Sequence, residues 1–364
     1  MKPKPLLIIL FFAIYFLISN IFFYTRFHNP QKRTLKINFV NNQIKISESG
    51  EFLPQNLTLQ EIFQENHGWV ASLAAQNTIT MIATGDVIPA RSVNFKTVTI
   101  NNFRWPYEKT FEVLKSADLT FINLESPLID NCPLTNEGMV FCGDKRNVGG
   151  LIFAGVDVAN LANNHSSNYG EQGLSSTVDL LSKFGILSSG TGPISYTRIK
   201  NTRFAFLGYN ALDFQQSNLK INKTRIKSDI TKARKNADII VVAFHWGEEY
   251  TPQPNKVQRE LAHLAIDSGA DLIIGNHPHW IQPVEIYRNK LIMYAHGNFV
   301  FDQMWSEITK EGVIGRYTFF DKKLIDVEFL PIKIESYGQP YFLEGKEKED
   351  ILKSLFEESK SISR

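Results

Sequence analysis

Short apolar runs that stop on a polar, metal-competent side chain constrain this chain more than any other feature. The run 79–84 (ITMIAT) leads through Gly85 into Asp86, and 119–124 (LTFINL) leads into Glu125. The run 158–162 ends in Asn163, Asn164 and His165, and 239–244 (IIVVAF) ends in His245. The run 272–275 gives way to Asn276, His277, Pro278 and His279, and 203–208 (RFAFLG) is a further run of the same kind. Apolar runs of this length bounded by turn residues predict buried strands. Helix-like stretches at 107–116, 170–184, 228–236 and 257–268 fall between several of them, so a layered α/β domain is expected. After Pro283 the pattern changes to hairpins, around Arg288–Lys290 and again around Asp321–Lys323, which predicts an antiparallel part. The charged stretch 344–359 predicts a closing amphipathic helix.

The carboxyl ends of strands in such sheets open onto the crevice where ligands bind. Asp86, Glu125, Asn164, His165, His245, His277 and His279 all fall at such ends, and they include half of the chain's 8 histidines. Any one of them alone is better read as a capped or hydrogen-bonded structural residue. Together they read as a site. Carboxylate and amide oxygen with imidazole nitrogen is a donor mix that suits a divalent Zn, Mn or Fe ion.

The amino terminus carries a different signal. Residues 6–23 form an uncharged apolar run after Lys2 and Lys4, at the short end of what spans a bilayer as a helix. Bulky Phe, Tyr and Arg follow it rather than a small-residue cleavage site, so an uncleaved signal anchor is expected over 1–25. Positive charges flank both sides and barely bias orientation. Residues 26–77 are polar and read as a stalk, with a short alternating strand at 35–40 and an amphipathic stretch at 57–73. The main domain is expected over 78–343 and a tail over 344–364. Cys132 and Cys142 are the only cysteines, ten residues apart in a Pro/Asn/Gly-rich loop without a CxxC, which favours a disulfide over a zinc site. Two unpaired thiols are the alternative. A disulfide places the domain in an oxidising compartment, outside the cytoplasm, on a single-pass membrane protein. Lys plus Arg (39) nearly balance Asp plus Glu (37), so no basic field exists to hold nucleic acid.

Six ordered segments carry a family resemblance: GDVIPAR (85–91), NLESP (123–127), AGVDVANLANNHSSNYGEQGL (154–174), HWGEEY (245–250), SGADLIIGNHPHWIQPVE (268–285) and HGNFVFDQ (296–303). They resemble the successive signatures of the CapA, or poly-γ-glutamate synthesis, family, over about 78–330. The resemblance implies a metallophosphatase-like α/β/β/α sandwich and a part in making or exporting an anionic capsule polymer. Residue by residue, it implies Asp86 as first metal ligand, Asn164 as the motif Asn, His165 as general acid, and His245, His277 and His279 as the imidazole ligands. Two-metal phosphoesterases carry a His two residues after the first Asp, and here that place is Ile88. Their bridging Asp corresponds to Glu125. One metal position is thereby short of a ligand.

The chemistry such a site implies is hydrolysis of a phosphate ester by metal-activated water. Arg91 is the candidate to clamp a phosphate or carboxylate, and His165 the candidate to protonate the leaving oxygen. Asn163, Trp246, Glu248, Asn298 and Asp302 are expected to support the ligands or line the pocket. His296 is read as a packed core histidine. Two functions compete. One is a metal-dependent hydrolase of a phosphorylated or polymeric envelope substrate. The other is a non-catalytic accessory subunit of a membrane polymer synthase or export complex. A carbohydrate-binding module has little support, because the site holds too many metal-type ligands for that task.

Overall fold

The computed structural model describes residues 45–46, 52–53, 56–212 and 223–362. The expected anchor at 6–23 and the strand at 35–40 lie outside them. Among the described residues no helix is long and apolar enough to cross a membrane.

Among the described residues a pair of two-residue strands, β1 (Lys45–Ile46) with β2 (Phe52–Leu53), comes first. Then follow α1 (Leu59–Ile62), β3 (Thr78–Val87), α2 (Arg91–Thr99), α3 (Phe111–Lys115), β4 (Leu119–Leu124), β5 (Leu128–Ile129), β6 (Gly143–Asp144) and α4 (Val148–Ala154). Next come β7 (Val158–Asn160), α5 (Gly170–Lys183), β8 (Leu187–Ser189), β9 (Ser195–Ile199), β10 (Thr202–Asn210), α6 (Lys223–Arg234) and β11 (Ile239–His245). The remainder is α7 (Lys256–Asp267), β12 (Leu272–Asn276), β13 (Ile281–Tyr287), β14 (Lys290–His296), β15 (Asn298–Val300), β16 (Glu311–Phe320), β17 (Lys323–Glu335), β18 (Gln339–Phe342) and α8 (Gly345–Ile362).

Two sheets are built from them. One has the order β18-β17-β16-β3-β4-β7-β8 with β15 beside β3, and the other β13-β14-β12-β11-β10-β9. In each, the strands alternating with helices pair in parallel, while the hairpins add antiparallel strands at the edges. Period-two alternation then sorts the side chains. Met81, Phe121 and Val158 of the first sheet meet Phe206, Val241, Ile274 and Met293 of the second in one apolar layer. The opposite faces are covered by helices. Ile82, Ile122 and Ala159 pack on Val93, Leu114, Leu151 and Leu181 of α2 to α5. Ile240, Val242 and Ile273 pack on Ile226, Ile230, Leu261 and Ala265 of α6 and α7. The expected α/β/β/α order of layers is therefore present.

Local sequence explains where α7 starts. At α7 the Asn255 side chain accepts from Gln258 N at 3.0 Å, and Gln258 Oε1 accepts from Asn255 N at 2.9 Å. This capping box satisfies two backbone donors that the first turn leaves open. Leu261, Ala262, Ala265 and Ile266 then form one buried face. The stretch 57–73, expected within the stalk, packs on the main body. Phe63 lies 5.4 Å from Phe356 of α8 and 5.9 Å from Phe329 of β17, and Leu73 packs with Phe320 and Ile325.

Cys132 and Cys142 are joined, with Cα atoms 5.8 Å apart. Closing so short a loop stabilises by about 2–3 kcal/mol in the chain-entropy model. The bridge also fixes a wall of the cleft described next, since Asn136, Met139 and Phe141 of this loop line it.

Candidate metal centre

Strand register puts the polar residues at one level. In the first sheet Asn298, Asp86, Asn123, Asn160 and Ser189 are successive register partners on β15, β3, β4, β7 and β8. In the second, Asn210, His245 and Asn276 are partners on β10, β11 and β12. Phe121, Val158, Ala243 and Ile274 face the inter-sheet core, so Asn123, Asn160, His245 and Asn276, two residues further on, face it too. Asp86 reaches that face through a register shift between Ala83 and Asp86, a bulge that re-aims the side chain. Gly85 makes the shift possible. A Cβ there would lie 2.2 Å from Gly297 O, which closes β15 onto β3 as Asp86 N donates to Gly297 O at 3.0 Å.

The donors converge where the two rows meet. The ligand atoms of Glu125, His245 and His277 lie within 4.8 Å of one another, as do those of Asp86, Glu125 and His279, and those of Glu249, His277 and His279. His245 Nε2 is 2.8 Å from Asn164 Oδ1 and 3.4 Å from Glu125 Oε1. His279 Nδ1 is 3.1 Å from Asp86 Oδ2 and 2.9 Å from Asn298 Oδ1. Asp86, Glu125 and His245 are fully buried. Glu125 Oε1 and His277 Nδ1 have no hydrogen-bond partner, and neither does either end of the Asn276 amide. Buried polar atoms are almost always paired, so unsatisfied carboxylate, imidazole and amide atoms in one place fit a cation that takes their lone pairs.

Electrostatics agree. Burial pushes His245 down to about 3, against the Asp86 charge, and depresses His277 well below its usual value with help from His245 and His279. Both are neutral near pH 7, the form that binds metal. Burial alone would lower His279, but the Asp86 hydrogen bond and the Glu125 and Asp86 charges raise it to about 9. Burial would raise Asp86, and His279 more than offsets this, holding it well below the carboxylate range. Glu125 is pushed well up by burial and by the Asp86 charge. A bound cation would replace these proton-mediated compensations.

Sequence reasoning missed several residues. Asn123 is the hub. Its Nδ2 donates to Asp86 Oδ1 at 2.9 Å and Glu125 Oε2 at 3.3 Å, and its Oδ1 accepts from Asn160 at 3.0 Å and Asn163 at 3.2 Å. Asn163 thus supports the site indirectly, and its Oδ1 also accepts from Ser166 N at 2.8 Å. Glu249, not Glu248, faces the imidazoles; Glu248 is exposed, and its carbonyl accepts from Thr251. Trp246 does not line the site. It points to the opposite face, stacks on Phe244 at 4.6 Å and donates to Tyr294 O. Asp302 does not support the clustered histidines; it pairs with Arg91 and accepts from Ser92 N at 3.0 Å. His296 is packed inside, 2.9 Å from the Tyr317 hydroxyl.

A cleft of about 290 Å³ opens onto the centre, lined by residues that include Arg91, His165, Glu249, Tyr250, His279 and Trp305. The Arg91 guanidinium lies 4.9 Å from the Phe141 ring and 5.0 Å from the Phe301 ring, with its charge matched by Asp302. His165 stacks on Phe141 at 4.1 Å. Asn168 Oδ1 accepts from Phe141 N at 2.7 Å and faces His165 Nδ1 at 2.9 Å. That orientation assigns the proton to Nδ1, and burial lowers the pKa, so neutral His165 presents Nε2 as an acceptor. The acid role expected of it then starts with proton uptake at Nε2.

Known proteins resemble this chain. Capsule biosynthesis protein CapA of Bacillus anthracis is 30% identical over 285 residues, covering 72% of this chain and 69% of its own. PGA biosynthesis protein CapA of Bacillus subtilis is 31% identical over 266 residues, covering 68% and 70%. A solved hypothetical protein from Thermus thermophilus aligns over 71% of this chain and 100% of its own at 13% identity, with a TM-score of 0.48. The family described as bacterial capsule synthesis protein PGA_cap matches residues 80–303, the span that holds the whole strand-end constellation, and this chain belongs to that family.

Proposed function

We propose that this chain is a membrane-anchored, divalent-metal-dependent hydrolase of phosphate esters that serves the synthesis or export of an anionic capsule polymer. One observation carries the reading: buried carboxylates and imidazoles from both sheets gather behind an open cleft with several of their polar atoms unpartnered. The names of the Bacillus relatives supply the capsule and polymer setting. Asp86, Glu125, Asn164, His245, His277 and His279 are the residues that would hold the ion. When bound, a divalent cation polarises a phosphoryl oxygen and lowers the pKa of water. The chain's own residues supply the rest. Asn298 holds His279 through Nδ1, Asn123 orients Asp86 and Glu125, and His165 takes up a proton at Nε2 and can return it to a leaving oxygen. Arg91 and the flanking Phe141 and Phe301 shape the entrance.

Purified protein loaded with Mn or Zn is expected to hydrolyse a generic phosphodiester such as bis(p-nitrophenyl) phosphate. Chelation should abolish the turnover and metal return should restore it. If metal binds but no phosphoester is cleaved, while ligand variants still support polymer production in cells, the accessory-subunit reading replaces this one.

The anchor belongs to the same proposal. The uncharged run at 6–23 is read as an uncleaved span with the domain outside the cytoplasm, a placement the Cys132–Cys142 bridge supports. Carbonate washing of membranes should leave the full-length chain in the pellet. Release of a chain shortened at its amino terminus would count against it.

A further inference from the structure

We propose that the cleft takes phosphate esters of apolar alcohols, with the hydrocarbon of the ester laid across a rim formed by Met139, Trp305 and Tyr337. This occupant presupposes the hydrolase reading above and narrows its substrate to an amphiphile. Ten large hydrophobic side chains are exposed among the described residues, and six of them belong to the three loops around this cleft. Leu134, Met139 and Val140 stand on the loop closed by Cys132 and Cys142. Trp305 and Ile308 lie between β15 and β16, and Tyr337 lies in the turn from β17 to β18. Single exposed apolar residues are ordinary on a protein surface, but a cluster around one opening is not.

Each loop is held in shape, so the exposure is built in. The disulfide closes the first. In the second, Thr309 Oγ1 donates to Gln303 O at 2.9 Å, and Trp305 packs edge-on against Tyr250 at 4.9 Å. In the third, Ser336 and Tyr337 carry φ angles of 53° and 65°, a region that a bulky side chain rarely adopts. That turn is wedged on α2, since a Cβ on Gly338 would meet Val93 Cγ2 at 2.6 Å. A rim fixed beforehand loses little entropy when an apolar chain settles on it.

Charge separates this occupant from a polyanion. Arg91 is the only Lys or Arg that lines the cleft, and Gly138 O and the Asp302 carboxylate already occupy its two terminal nitrogens. Glu249 adds a further acid to the lining. One phosphoryl group can be received at the centre, but a chain with a carboxylate on every residue finds no free cation around it. A sugar is disfavoured too. Its hydroxyls need paired donors and acceptors, whereas aliphatic Leu134, Met139, Val140 and Ile308 beside two aromatics suit hydrocarbon.

The test uses the full chain in phosphatidylcholine nanodiscs, loaded with Mn²⁺, and measures binding of ethylphosphonate and hexylphosphonate. Their C–P bond resists hydrolysis, and empty nanodiscs supply the partition blank. A methylene fully removed from water strengthens binding by ~4-fold, so four of them on a half-open rim should give ~10-fold or more. The double variant Trp305→Ala, Tyr337→Ala, changed at exposed positions only, should cut that ratio to ~3-fold or less. If the two phosphonates bind alike, or the double variant keeps the native ratio, the rim proposal is overturned while phosphoryl binding at the centre stands. Glucose 6-phosphate binding more tightly than hexylphosphonate overturns it in favour of a sugar. A γ-linked glutamate oligomer doing so overturns it in favour of the polymer itself. A loaded chain that binds neither phosphonate overturns the hydrolase reading and this proposal together.

Discussion

His277→Ala is expected to lower metal affinity by ~100-fold or more while leaving the metal-free protein at least as stable as the parent. Both halves follow from the same geometry. His277 contributes to two of the three donor groups, and even residues that merely support a ligand typically cost 10–100-fold in affinity when removed. Without an ion, however, its buried Nδ1 is unpaired and its neighbours His245 and His279 disfavour its charge, so the side chain is a local liability. Alanine inherits the φ of 98° and adds no new strain. Thermal melts with and without Mn or Zn separate the effects. The parent should gain about 2.7 kcal/mol at an ion concentration 100 times its dissociation constant, and the variant almost nothing. If the variant melts several degrees lower without metal and binds ions as the parent does, His277 is a structural residue.

Asn123→Ala should have the opposite signature, destabilising the protein by about 3 kcal/mol or more even without metal. The substitution leaves Asn160 and Asn163 without their shared acceptor and removes the donor to Asp86 and Glu125, all in a fully buried layer. Each buried polar group left unsatisfied costs about 1–3 kcal/mol, and members of one network do not fail independently. Urea unfolding monitored by fluorescence gives the value. A loss below about 1 kcal/mol would mean that water or repacking replaces the amide, and that Asn123 is not the hub of the row.

How far the sequence could be read follows from what each position depends on. The apolar runs around 79–84, 119–124, 239–244 and 272–275 became strands, because continuous burial on both faces of a parallel sheet needs only local composition. The residues closing those runs were visible for the same reason. Asn123 and Asn160 were missed because they lie inside strands rather than after them. Their signal was a lone amide in an otherwise apolar run. Trp246 was misplaced through neglect of alternation: once His245 faces inward, the next side chain must face out. The choice between Glu248 and Glu249 was not local at all. It is set by a turn with Gly247 at φ 87° and Tyr250 at φ 61°, pinned by Pro278 from another strand end. Asp302 follows an apolar run as the gathered donors do, but Arg91, 211 residues earlier, claims its carboxylate.

The two polar rows belong to different sheets, one running through Asp86 and Asn123 and the other through His245 and Asn276. Neither sheet folded alone would contain the centre; it exists only along the seam where they meet. An ion held across that seam binds the closed molecule and not its separated halves, so every increment of binding free energy is also an increment of adhesion between the sheets. On the proposed reading, metal supply would therefore bear on the cohesion of the two sheets as well as on the chemistry at the cleft.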